Sequence, residues 1–209
     1  MPEAFSAQAV AALYQVPAYR LRLQVTPDSD VEELVRYWGK GGREKIIKPL
    51  LSSLAHVPGG ASISVSALLP PFARLRLYTF PDSWDDPAAT QEDCLFTALN
   101  FFNRSADTNL FNREYANRIL QSDYVQTAGE PTFGDLIVLY DSNGQAIHCC
   151  VYIAEDFVFT KNGLSGFQPW VVMRMSEMTT YYPSEKEAHI AIMHHKDRAA
   201  NYTLRSGLP

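Results

Sequence analysis

Three cysteines are all that the 209 residues contain, Cys94, Cys149 and Cys150. An odd count with two neighbours adjacent does not make a disulfide framework. No CxxC pair is present either, which argues against a structural zinc site. The chain also lacks any Lys/Arg run: its 18 basic residues are outnumbered by 23 acids, for a net charge of −5. A nucleic-acid partner is therefore not expected. No apolar stretch approaches the ~18 residues of a membrane span. There is no internal repeat and no low-complexity tract, and the opening "MPEAFSAQAVAALYQVP" lacks the basic start and continuous apolar run of a secretory signal.

What is there is ordinary globular material, 46% hydrophobic and 20% charged. That suits one large domain, or a domain with an extension, around a real core. Residues 4–14 read as helix and "YRLRLQV" (19–25) alternates like a strand. "DSDVEELVRYW" follows as a helix capped by Asp28 or Ser29. "REKIIKPLLSSLAHV" puts Ile46, Ile47, Leu50, Leu51 and Leu54 on one face of a helix that Pro49 should kink. A further helix is expected over 110–122. Beyond it, β-rich runs alternate with turn signals: 135–140, 146–153, 157–161, 168–175 and 189–195. Connections this short favour antiparallel hairpins. Helices followed by an antiparallel sheet of about five strands make an α+β protein.

The chemistry centres on "TQEDCLFTALNFFN" (90–103). Asp93 is a natural N-cap, which puts Cys94 at the first helical position. Leu95, Ala98, Leu99 and Phe102 share a face, with Thr97, Asn100 and Asn103 as a narrow polar strip. A thiol so placed meets the helix dipole and free N–H groups, which favour thiolate. The plainer reading is a buried structural cysteine, a role this residue type fills often. A nucleophile needs a base. His56 ends a helix beside Pro and Gly, and His189, His194 and His195 share a terminal strand without accompanying acidic or cysteine ligands. His148 opens a strand just after a turn, where its imidazole can face a cleft. Cys149 and Cys150 read as small packing residues, of which only Cys150 shares a face with His148.

The aspartate-capped "DC" helix, then "PTFGDLIVLY", then "HCCVYIAEDFVFTKNG" together resemble the NlpC-type papain-like cysteine peptidases, the cell-wall endopeptidases. The likeness covers roughly residues 76–165, with 1–75 as an extension or accessory module. The chain departs from that pattern in having Leu95-Phe96 after the cysteine, Cys150 in place of a glycine, and no second histidine at the third position. The resemblance implies a papain-like fold with the Cys94 helix packed on the sheet, and amide hydrolysis by Cys94 with His148 as base. It implies no cofactor and no metal. The substrate would be a peptide or peptidoglycan fragment cut in the stem peptide, in the periplasm or outside the cell; otherwise the protein is cytoplasmic. Tyr78, Asp93 and Lys161 are the candidate substrate contacts. A thiol acyltransferase or lipid-acting enzyme on a related fold, and a non-catalytic binding module on the same scaffold, are the rival readings.

A Cys–His pair works best when a third group accepts from the far imidazole nitrogen. Loop parity decides which residue of the next strand that is. A two-residue turn at Glu155-Asp156 sets His148 opposite Gly163, with Lys161 on its face; a three-residue turn from Ala154 sets it opposite Asn162, with Thr160. Lysine has only donors, whereas an asparagine carbonyl accepts. Asn162 is therefore expected to orient His148, with Thr160 as second choice.

Overall fold

The structure is a computed structural model that describes residues 16–81, 92–182 and 189–197. The helix expected over 4–14 lies outside them.

The chain enters along the sheet edge it will later protect. Tyr19 N–H donates to the Val172 carbonyl, after which strand β1 (Arg22–Val25) pairs antiparallel with β2 (Ala61–Ser64). Between them lie α1 (Val31–Trp38) and α2 (Glu44–Ala55). The cap of α1 is Asp30, whose carboxylate accepts from Glu33 N–H at 2.9 Å, rather than Asp28 or Ser29. Ser29 is spent one step earlier, its hydroxyl accepting from Thr26 N–H. Helix α2 runs through Pro49 and buries Ile47 and Leu51. Ile46 does not join that face: it is 69% exposed, because the stripe over the core is narrower than the run of apolar residues. His56 caps the helix end, its ring on the Ser52 carbonyl.

After a short 3₁₀ turn come α3 (Pro71–Arg76), α4 (Cys94–Asn100) and α5 (Arg113–Asp123). Strand β3 (Tyr124–Thr127), not foreseen in the sequence, follows at once. Then come β4 (Leu136–Tyr140), β5 (Ala146–Ala154), β6 (Phe157–Lys161), β7 (Trp170–Arg174), α6 (Met175–Thr180) and β8 (His189–His195). The sheet is wholly antiparallel, in the order β3-β8-β4-β5-β6-β7. It holds the five expected strands plus β3, so the protein is α+β with a main sheet of six strands rather than about five.

Side chains alternate across the sheet and build two clusters. Val138, Cys149, Val151 and Phe159 face the helices and join Phe96, Phe101 and Phe133. Val25, Trp38, Ile47 and Leu51, from the segment set apart as an extension, belong to the same cluster. Tyr37 OH also donates to the Ile153 carbonyl at 2.8 Å. Ile137, Cys150, Val158, Val171 and Met173 form the second cluster on the opposite face, under Met178 of α6. Among the described residues no helix is long and apolar enough to cross a membrane.

The "PTFGD" run explains itself as a turn. Gly134 has φ 85°, and the Asp135 carboxylate accepts from Thr132 N–H at 2.7 Å. The same carboxylate oxygen meets His194 Nδ1 at 2.8 Å, tying β8 to the start of β4. His189 stacks on Tyr140 and His195 packs edge-on to Tyr124. The terminal-strand histidines are thus occupied structurally, and among the described residues no group of three or more His, Cys, Asp or Glu could hold a metal.

Candidate active site

Asp93 caps α4 as expected, one carboxylate oxygen accepting from Phe96 N–H at 2.8 Å. Its other oxygen pairs with Arg113 at 2.9 Å. With both oxygens engaged, Asp93 is a helix cap rather than a free substrate contact. Cys94 takes the first helical position, and its helix packs on β5 and β6. The polar strip on α4 is buried but satisfied. Thr97 Oγ1 accepts from Trp170 Nε1 at 2.9 Å, and Asn100 Oδ1 accepts from the Asp107 amide at 2.7 Å.

The thiol is not the thiolate that its helical position suggested. Burial first, and the Asp93 charge second, push it up to about 11; the Cys149 amide, Arg113 and the Leu95 amide pull weakly the other way. A seven-residue helix offers a modest dipole, and desolvation outweighs it.

The β5–β6 hairpin resolves the register in a way neither loop length alone provides. Its turn is the short one, Glu155-Asp156, with Glu155 at φ 53° and Ala154 opposite Phe157. The register then shifts between Tyr152 and Ala154, so that Tyr152 pairs with Val158 and Val151 with Phe159. One bulged residue, Ile153, gives a two-residue turn the parity of a three-residue one. Thr160 and Asn162 therefore share the His148 face, and Lys161 does not.

His148 is buried at 2% exposure, and its Nε2 lies 2.9 Å from Thr160 Oγ1. Thr160 donates its own proton to Asn162 Oδ1 at 3.4 Å, and Asn162 Nδ2 leans on Met173 Sδ. The two expected orienting residues appear in reversed order: Thr160 touches the imidazole and Asn162 stands behind it. With the Thr160 proton assigned to Asn162, the Thr160 oxygen accepts, and the matching tautomer carries its proton on Nε2. Nδ1 is then the basic nitrogen. It is buried and has no hydrogen-bond partner, so thiol and imidazole are not bonded to each other in this resting arrangement. Burial lowers the imidazole to about 3, leaving it neutral at pH 7.

Two residues found in the sequence take other positions. Tyr78 has φ 65°, and its strand-like exchange with β7 runs Tyr78 N–H to Trp170 O and Trp170 N–H to Thr79 O. Its phenol donates to the Tyr19 carbonyl, and none of its hydrogen bonds reaches Cys94 or His148. Lys161 is fully buried. Its ammonium donates to the Gly163 and Ser165 carbonyls at 3.0 and 3.1 Å, with the Trp170 ring 5.9 Å away. Burial lowers it to about 8, against the pull of Glu92, Asp93 and Cys94. It staples the 163–165 loop instead of presenting a charge to solvent. Cys149 and Cys150 are buried on opposite faces of β5, as packing residues, with their thiols pushed far up by burial.

Tyr182 was missed. Its ring stacks on the His148 imidazole, with centroids 4.3 Å apart and planes 23° apart. Nothing in "TTYYPSEKE" marks it, because the contact joins the end of α6 to β5, far apart in the chain. Comparison with protein-family models, curated proteins and solved structures finds no match to the chain.

Proposed function

We propose that the protein is a cysteine hydrolase that cleaves an amide bond, with Cys94 as nucleophile and His148 as base. The observation that carries this reading is the divided state of His148. One nitrogen is tied to Thr160 and the other is unpartnered. The side chain lies on the face of β5 away from α4, and the strand meets Cys94 through the Cys149 amide, which faces the sulfur. A neutral thiol near 11 and a neutral imidazole near 3 argue against a preformed ion pair. Proton transfer instead accompanies attack. Nδ1 takes the thiol proton as sulfur bonds to the carbonyl carbon, and the imidazolium then gives it to the leaving amine. The amides of Leu95 and Cys149, which face the sulfur, are the donors nearest the developing oxyanion. Water, deprotonated by Nδ1, attacks the thioester, which releases the acid and restores the thiol. Thr160 and Asn162 are positioning residues, setting the tautomer.

The sequence resemblance points to stem peptides of bacterial cell wall as the substrate class, and so to a periplasmic or external site of action. Incubation with peptidoglycan stem peptides, read by mass spectrometry, tests this. Cleavage by the wild-type chain that is lost in Cys94→Ala and in His148→Ala is expected. The neutral, only partly exposed thiol also favours a binding module that keeps the scaffold without the chemistry. Absence of cleavage, with Cys94 inert to iodoacetamide up to pH 10, would favour that rival.

A further inference from the structure

The mechanism above asks one imidazole to keep a fixed plane with only one of its nitrogens bonded. The second torsion of histidine is broad and roughly two-fold, so the hydrogen bond from Nε2 to Thr160 at 2.9 Å opposes turning over but, acting at one end of the ring, restrains rocking of its plane less. Turning over exchanges Nδ1 with a carbon and removes the base. A contact on the ring face restricts the rocking that one end-on bond permits. We propose that Tyr182 is the positioning residue that holds the His148 imidazole in its plane and tautomer, by stacking on its face.

The stacked geometry, 4.3 Å between centroids and 23° between planes, leaves no room for the imidazole to swing edge-on. Tyr182 is itself anchored. Its amide donates to the Thr179 carbonyl at the end of α6, and its ring packs against the cluster of Cys150, Met173 and Met178. The ring also covers the His148–Thr160 bond from water: His148 is buried while Tyr182 is only partly so. The imidazole meets Thr160, backed by Asn162, and the Tyr182 ring, while Cys94 and Cys150 lie close enough to the Tyr182 phenol to act on its charge. Among the described residues no carboxylate or ammonium bonds to the imidazole, so its plane and protonation rest on Thr160 and on the aromatic cover.

The catalytic consequence rests on the Cys94–His148 reading, but the positioning itself is measurable without substrate. In uniformly ¹⁵N-labelled protein, long-range ¹H–¹⁵N spectra report the tautomer of each histidine, and His148→Gln identifies the His148 signals. The wild-type chain is expected to show a single Nε2–H tautomer that does not titrate between pH 5 and 8. Tyr182→Phe keeps the ring and should show the same. Tyr182→Leu, and Tyr182→Met as a second variant of flexible volume, should show averaged tautomers and titration approaching the ordinary value of about 6.5. On a substrate cut through Cys94, kcat should fall about 10-fold in the Leu and Met variants with KM unchanged, and Phe should restore it. A wild-type His148 signature in both Leu and Met variants would overturn the proposal. Loss of the signature in Tyr182→Phe would overturn it too, because the hydroxyl and not the ring would then be the determinant. If no variant cuts a peptide yet the spectra change as stated, the hydrolase reading fails and the role of Tyr182 stands.

Discussion

The two faces of the six-stranded sheet are built for different ends. The face toward α4 is aromatic and continuous: Phe101 meets Phe133 at 5.6 Å and Phe159 at 5.7 Å, and Phe133 meets Trp38 at 5.0 Å. The opposite face carries the Asn162–Thr160–His148 line, roofed by Tyr182. Both are buried, and on the second a ring nitrogen, His148 Nδ1, is left without a hydrogen-bond partner. A buried polar atom that goes unpaired costs stability. A face kept only for packing would fill the position with an apolar side chain. On the proposed reading, the contrast separates a face that holds the fold from a face that holds a base.

The largest expected effects break that contrast from the functional side. Cys94→Ala and His148→Ala should each lower turnover by about 10³-fold or more, judged by losses on removing a nucleophile or its base. Cys94→Ala should leave the melting temperature nearly unchanged. On the packing side, Phe101→Ala should cost about 3–5 kcal/mol in chemical denaturation, the usual loss for a buried phenylalanine. It touches neither Cys94 nor His148 directly. If stability survived and turnover vanished, the division between the faces would be wrong.

Acid titration sharpens the comparison. The His148 imidazole is lowered from 6.5 to about 3, so between those values the unfolded chain binds a proton that the folded chain refuses. Stability attributable to this group is therefore complete above about pH 6.5 and is lost as pH falls toward 3, by several kcal/mol at most. His148→Gln should flatten that part of the profile, whereas Phe101→Ala should shift the whole curve and keep its slope. Guanidinium titrations from pH 7 to 4 distinguish the two.

Smaller effects separate the members of the polar line. Thr160→Val, which keeps the shape and removes the hydroxyl, should lower turnover about 10- to 100-fold; Asn162→Ala, one bond further out, should lower it by about 10-fold. The reverse ranking would mean that Asn162 and not Thr160 contacts the imidazole during turnover. Ile46→Ala, on a side chain that is 69% exposed, should stay within about 0.5 kcal/mol of the wild type.

How much of this could be read from the chain differs by kind of residue. Strands β4 to β8 were legible because turn signals bracket apolar runs, and the Asp93 cap because its chemistry is local. The Ile153 bulge was not, since an extra residue in a strand carries no sequence signal when the turn after it is ordinary. It happened to restore the parity that favours Thr160 and Asn162. Strand β3 was hidden by following α5 without a break. Lys161 reads in the sequence as a candidate substrate contact and is instead buried against Trp170, because its partners are main-chain carbonyls with no signature of their own. The thiolate expected at Cys94 failed for a similar reason: position on a helix is local, but desolvation is a property of the whole fold.

The most direct measurement of the central claim is mass spectrometry of the chain mixed with a peptidoglycan stem peptide and quenched with acid during turnover. A covalent adduct on Cys94, with the mass of the released acyl fragment less water, is predicted in the wild-type chain and not in His148→Ala. Cleavage that persists in Cys94→Ala, or an adduct carried by Cys149 or Cys150 in its place, would contradict the account.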